Sequence, residues 1–145
     1  MKKLIASCLT AVLCLCCLAS CGLLTPTIER FIPDEQITSV EIKTANYETG
    51  INEVTDKYVL TEEQSDEIIS LLNEISYKKR YNILKEKWTY VNDVTYVFVF
   101  KTQKIALSEN HIYVYDSNDD LLEHVEFNSS TFNDHSKRIN EVLGK

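Results

Sequence analysis

Glycine and proline are scarce in this chain. It has three glycines, Gly22, Gly50 and Gly144, and two prolines, Pro26 and Pro33, in 145 residues. Phosphate-cradling loops need clustered glycines so that the backbone can approach the ligand, and three scattered ones exclude such loops. No serine stands in a G-x-S-x-G elbow. The histidines, His111, His124 and His135, form no H-E-x-x-H or comparable ligand spacing. Cysteine ends at Cys21, because the five cysteines are Cys8, Cys14, Cys16, Cys17 and Cys21. Everything after Cys21 therefore lacks disulfides, thiol nucleophiles and thiolate ligands, and must be stabilised by its core. A basic excess is lacking too. The 15 Lys and Arg stand against 22 Asp and Glu, a formal charge of −7, and such acidity disfavours nucleic acid as a partner.

The N-terminal segment is rich in what the rest lacks. Lys2 and Lys3 precede an uncharged apolar run, Leu4 to Leu18, and Ala19 and Ser20 follow it. This is the three-part layout of a secretory signal, and a run near 15 residues is short for a membrane span, which needs about 20. A metal or cluster site built on Cys14, Cys16, Cys17 and Cys21 is disfavoured, because ligand thiolates need a polar surrounding and this run is apolar. Leu18-Ala19-Ser20-Cys21, followed by Gly22, resembles the lipobox of bacterial lipoprotein precursors at every position. The resemblance covers residues 1–22. It implies that a diacylglyceryl group is attached to the Cys21 thiol and that cleavage occurs before Cys21. The chain is then held on the extracytoplasmic face of the cell membrane. One acyl chain binds a membrane marginally, whereas two or three anchor durably. Loss of Lys2 and Lys3 leaves 13 of the 15 basic residues against all 22 acidic ones, a net −9.

The expected organisation is a signal peptide over 1–20, a lipidated tether over 21–35 and one domain over 36–145. The tether holds both prolines. Its roughly 14 residues from Gly22 could span on the order of 45–50 Å when extended, although Leu23, Leu24, Ile28, Phe31 and Ile32 are rather apolar for a linker, which suits a segment that lies in part on the membrane or docks on the domain. Ile37, Val40 and Ile42 suggest a first strand, and 54–60 a second, with a turn around Gly50. Thr61 followed by Gln64 reads as a capping box. Ile68, Leu71, Leu72 and Ile75 recur at helical spacing, which predicts a helix over 62–76. Residues 77–87 read as extended. Further strands are expected at 94–100, at Ile105 and Leu107, at 112–115 and at 121–127, joined by short polar turns that suit hairpins. Ser130 or Thr131 caps a last helix with Phe132, Ile139, Val142 and Leu143 inward and Gly144 at its end. The fold class is α+β, β-β-α-β-β-β-β-α, with a mainly antiparallel sheet of about five or six strands and two helices on one face. In character the chain resembles the small Gram-positive lipoproteins that carry a domain of unknown function, a likeness that transfers no functional residue.

Few residues beyond Cys21 suggest a site. His124-Val125-Glu126 puts a histidine and a carboxylate on one strand face, a pattern shared by cross-strand polar pairs and incipient metal sites. Asp116, Asn118 and Asp120 imitate the start of a calcium loop, but its sixth and twelfth places hold Leu121 and Phe127 where glycine and glutamate are required. No metal or cofactor is expected, and nothing carries a catalytic signature. The stretch from Tyr77 to Tyr90 concentrates Lys78, Lys79, Arg80, Lys85, Lys87 and Trp88 in an otherwise acidic chain. It reads as an interaction surface for anionic headgroups, an envelope polymer or an acidic envelope protein, or as an edge strand whose lysines block aggregation. The functional expectation is a membrane-anchored binding module. An inhibitor or immunity-type lipoprotein, using its acidic loops to plug a basic cleft, is the alternative.

Overall fold

Seven strands and two helices follow one another in the computed structural model, which describes residues 26–49, 51–81 and 94–145. The strands are β1 (Ser39–Asn46), β2 (Ile51–Val59), β3 (Tyr77–Arg80), β4 (Val94–Val99), β5 (Gln103–Leu107), β6 (His111–Asp116) and β7 (Leu121–Phe127). Helix α1 spans Glu62–Asn73, and α2 spans Ser129–Val142. All strands join one antiparallel sheet in the order β2-β1-β4-β5-β6-β7-β3. The class is α+β and mostly sheet, with seven strands where five or six were expected. The additional strand comes from the basic stretch. Tyr77–Arg80 pairs with β7 as a short edge strand, and its four-residue length left it without a legible alternation.

Alternation along the strands sorts the residues onto two faces. Val40, Ile42, Tyr96, Phe98, Ile105, Leu107, Ile112, Val114, Val125 and Phe127 belong to the main buried cluster. Ile68, Leu71 and Leu72 of α1, and Phe132 and Ile139 of α2, are in that same cluster. Val97, Ala106 and Tyr113 form a smaller cluster from the opposite face, joined by Val99, Tyr115 and Leu121. The strong double-sided burial of β4 follows from its place inside the sheet, where Val-Thr-Tyr-Val-Phe-Val meets neighbours on both faces.

Local chemistry sets the helix ends. Thr61 Oγ1 accepts from the Gln64 amide, and Gln64 Oε1 accepts from the Thr61 amide, so the expected capping box closes. Helix α1 stops at Asn73, three residues short of the expected end, because Ser76 is already bridged to Thr27. Asn128 caps α2, in place of Ser130 or Thr131, accepting from the Ser130 amide. At its other end Gly144 adopts φ 77°, its amide donating to Glu141 O while the Lys145 amide donates to Asn140 O. That pair of bonds is a Schellman closure.

Residues 26–35 lie against the domain. Pro26 O accepts from the Tyr77 amide at 2.9 Å, Thr27 bridges Ser76, and the Ile28 amide donates to Ile75 O at 3.0 Å. A 3-10 turn over Ile28–Phe31 follows, with Ile28 fully buried and Phe31 and Ile32 packed on the core. The Arg30 guanidinium lies over the rings of Phe31 and Tyr77, 4.5 and 5.3 Å from their centroids. Glu35 then accepts from the Thr102 amide, 3.0 Å away. This strap leads from the β3 edge to the start of β1.

Candidate functional site

The basic stretch divides between what the structure describes and what it does not. Lys78, Lys79 and Arg80 lie on β3 at one edge of the sheet, and all three are exposed. Lys85, Lys87 and Trp88 lie outside the described residues, as does Cys21. Arg80 is engaged by Glu123 of β7, with Nε donating to Oε2 at 2.7 Å and a second, shorter contact from the terminal nitrogen. That bond and the charge of Glu123 raise Arg80 above the usual guanidinium range. Lys79 Nζ sits 4.3 Å from the centre of the Tyr81 ring.

Antiparallel register brings the histidines together beside this edge. His124 lies opposite Tyr113, and Glu126 opposite His111, so His124 and Glu126 share a sheet face. His124 Nε2 and His111 Nδ1 are 3.0 Å apart. Tyr81 and Tyr113 stack on the two sides of His124, with centroids 4.4 and 4.5 Å away. Tyr81 donates its hydroxyl to Glu126 Oε2 at 2.5 Å. This bond is the chief reason that Glu126 stays below the usual carboxylate range, aided by His111 when its imidazole is protonated and by the charges of Lys79 and Lys78. Burial pulls His124 down to about 4, reinforced by His111 and opposed by Glu126. Burial lowers His111 as well. At neutral pH both imidazoles are therefore neutral, which suits a histidine packed between two aromatic rings.

Chemically, this cluster is a hydrogen-bonded polar layer in an aromatic setting. Among the described residues no group of three or more His, Cys, Asp and Glu side chains is placed to hold a metal ion. His135 stands apart on α2, buried against the core with Nδ1 2.9 Å from Thr131 O. The acidic turn is organised by itself. Asp116 Oδ1 accepts from the amides of Asn118 and Asp120, and these bonds hold the Asp116 carboxyl below its ordinary range. Asp119 takes φ 67° and receives Lys104 at 2.6 Å. The turn thus satisfies the Asp116 carboxylate with backbone and the Asp119 carboxylate with lysine, the first as an Asx-type turn does.

The His111–His124 pairing is not legible in the sequence, because His111 stands just before the strand expected at 112–115 and its partner is fixed only by register. A register count backward from the Ser117–Asp120 turn would have placed the two strands side by side, but a shift between Val114 and Tyr115 obscures that count.

No family model matches the chain, and neither the curated proteins nor the solved structures give a significant match. The class that fold and site define is therefore a seven-stranded α+β domain, and nothing in the comparisons points to catalysis. No helix among the described residues is long and apolar enough to cross a membrane.

Proposed function

We propose that the protein is a lipid-anchored extracytoplasmic binding module, attached through Cys21 and presenting the β3 edge to an anionic partner in the cell envelope. The observation that carries this reading is the stretch Leu18-Ala19-Ser20-Cys21, in the correct position after a charged and then an apolar segment. The exposed Lys78 and Lys79 beside Arg80 support the choice of surface. Both helices belong to the same buried cluster as one row of sheet residues, which supports a layered arrangement with α1 and α2 on one face and the other face carrying the histidine–tyrosine cluster. Replacing Cys21 by Ala tests the anchor. Processing and membrane association should both be lost, and a variant that is cleaved and sediments with membranes like the wild type would sink the reading.

An inhibitor or immunity-type lipoprotein is the second reading. It is favoured by the self-organised turn Asp116–Asp120, where Asn118, Asp119 and Asp120 are exposed on a rigid hairpin suited to entering a basic cleft. Cells lacking the protein should then become sensitive to a secreted factor of neighbouring cells, and Asp119→Ala with Asp120→Ala should fail to restore resistance.

A further inference from the structure

The strap over residues 26–35 changes the reach of the anchor. Four residues, Gly22 to Thr25, separate Cys21 from Pro26. Fully extended, the five Cα steps from Cys21 to Pro26 cover at most about 18 Å. A tether free up to Glu35 would have allowed on the order of 45–50 Å. Pro26 is not free, because its carbonyl accepts from Tyr77, Thr27 bridges Ser76 and Ile28 is fully buried. The leash thus leaves the domain at the start of β3. Lys78 is the next residue after Tyr77, and at about 3.3 Å per residue Arg80 lies within roughly 10 Å of the same point.

Charge is unevenly placed with respect to that point. Near it stand Arg30, Lys78, Lys79 and Arg80, all exposed. Glu29, Glu123 and Glu126 also lie there, with Glu123 committed to Arg80 and Glu126 to Tyr81. Glu74, paired with Arg138, and Glu109 stand close by as well, so acids and bases balance at this edge, whose exposed cations include Arg30, Lys78 and Lys79, in a mature chain whose net charge is −9. Helix α1, in contrast, exposes Glu62, Glu63, Asp66 and Glu67 and contains no basic residue. A negatively charged leaflet attracts the exposed cations of the first surface and repels the second, and the leash of at most about 18 Å keeps the β3 edge within about two Debye lengths of about 8–10 Å each.

Resting on the reading of Cys21 as lipidated, we infer that the β3 edge, with Arg30, Lys78 and Lys79, is the surface held against anionic phospholipid headgroups, and that α1 is turned away from them. The partner of the basic edge is the membrane to which the chain is itself attached. The opposite edge, β2, lies six strand spacings away, about 29 Å, and points outward.

The test uses the mature lipidated chain, purified from membranes and reconstituted in vesicles of phosphatidylglycerol and phosphatidylethanolamine. A fluorophore is placed at Ser76→Cys beside the leash, or at Val59→Cys on the distal edge; both positions are exposed, and the Cys21 thiol is blocked by its thioether. Quenching lipids that carry the quencher in the headgroup should quench the Ser76 label strongly and the Val59 label weakly. Lys78→Glu combined with Lys79→Glu should weaken that contrast while the protein stays on the vesicles. Equal quenching at the two sites, or a contrast that the double charge reversal leaves unchanged, would overturn the inference and leave the anchor intact. The mass of the N-terminal peptide is the separate check. A Cys21 without acyl groups would defeat the anchor reading, and this inference with it.

Discussion

Truncating Ile28 to Ala measures whether the strap belongs to the domain. Ile28 has no exposed surface, lies in the main buried cluster and is adjacent to α1, while its amide is tied to Ile75 O. The change removes three carbons, and at about 0.8 kcal/mol per buried methylene the transfer loss is about 2.4 kcal/mol. A cavity contribution adds to it, because hydrogen bonds on both sides of the residue keep the strap from collapsing inward. The expected loss is about 3–4 kcal/mol, inside the usual range of about 2–5 for Ile to Ala. A domain of ordinary stability, about 5–15 kcal/mol, survives this and stays folded. Urea unfolding of the mature chain, followed by far-UV circular dichroism, should show a lower midpoint at unchanged slope. Glu29→Ala, one residue along and exposed, is the control and should stay within about 0.5 kcal/mol of the wild type. Equal, small shifts for both variants would refute the reasoning. The strap would then be a loose tether and the leash longer than about 18 Å.

Other perturbations test separate parts of the fold. Thr61→Ala removes one half of the capping box on α1 and should cost about 1 kcal/mol, read from the same urea curves; no change would mean that Gln64 alone holds the helix start, through its Nε2 bond to Val142 O. Gly144→Ala meets no atom within 4 Å, so any loss comes from φ 77° alone; about 1–2 kcal/mol is expected, visible as a lower melting temperature. His124, held at about 4 in the folded chain, binds its proton in the unfolded chain near 6.5. Its contribution to stability is therefore complete above pH 6.5 and is lost as the pH falls from there toward 4. The full difference corresponds to about 3 kcal/mol, and screening at the partly exposed His111 side reduces the expected loss to about 2 kcal/mol. His124→Phe keeps the ring stack without the titration, and should flatten the stability profile over that interval; an unchanged slope would place the acid sensitivity elsewhere.

Much of the fold was legible where periodicity was strong. The stripe Ile68, Leu71 and Leu72 and the capping pair Thr61 and Gln64 locate α1, and the alternation in β5, β6 and β7 locates three consecutive hairpin-linked strands. Other features were legible only in part, each for a physical reason. The strap reads as a tether with residues apolar enough to dock, but that Ile28 is the decisive anchor depends on a groove made by distant residues. The stretch from Tyr77 reads as extended or as an edge strand, but Tyr77–Arg80 is too short and too charged to show alternation, so its pairing with β7 was not legible. The histidine pair is a tertiary product of register, 13 residues apart in the chain and 3.0 Å apart in space. Within the candidate surface, the sequence identified the basic residues but not their partners, since Glu123 and Glu126 reach Arg80 and Tyr81 across strands.

An open sheet has two edges, and this one treats them differently. The β3 edge is four residues long, rich in lysine and bordered by the strap. Short length and charge are common means of preventing edge-to-edge pairing. The β2 edge is longer, nine residues, and exposes Val54 and Val59. It is protected by other means. Thr55 is an extra residue between the pairs Ile42–Asp56 and Lys43–Val54, a bulge that twists the strand, and Lys57 and Asp56 are held in ion pairs with Glu41 and Lys145. Confinement to a membrane raises the local concentration of copies, so an unprotected edge would be more hazardous there than in solution. If β3 is turned to the headgroups as inferred above, β2 is the edge that neighbouring molecules would meet, and its bulge and paired charges would oppose strand addition by a second copy. Deleting Thr55 should then regularise the strand and raise self-association of the anchored chain at equal surface density. A deletion variant that stays monomeric on vesicles would assign the protection to the ion pairs instead.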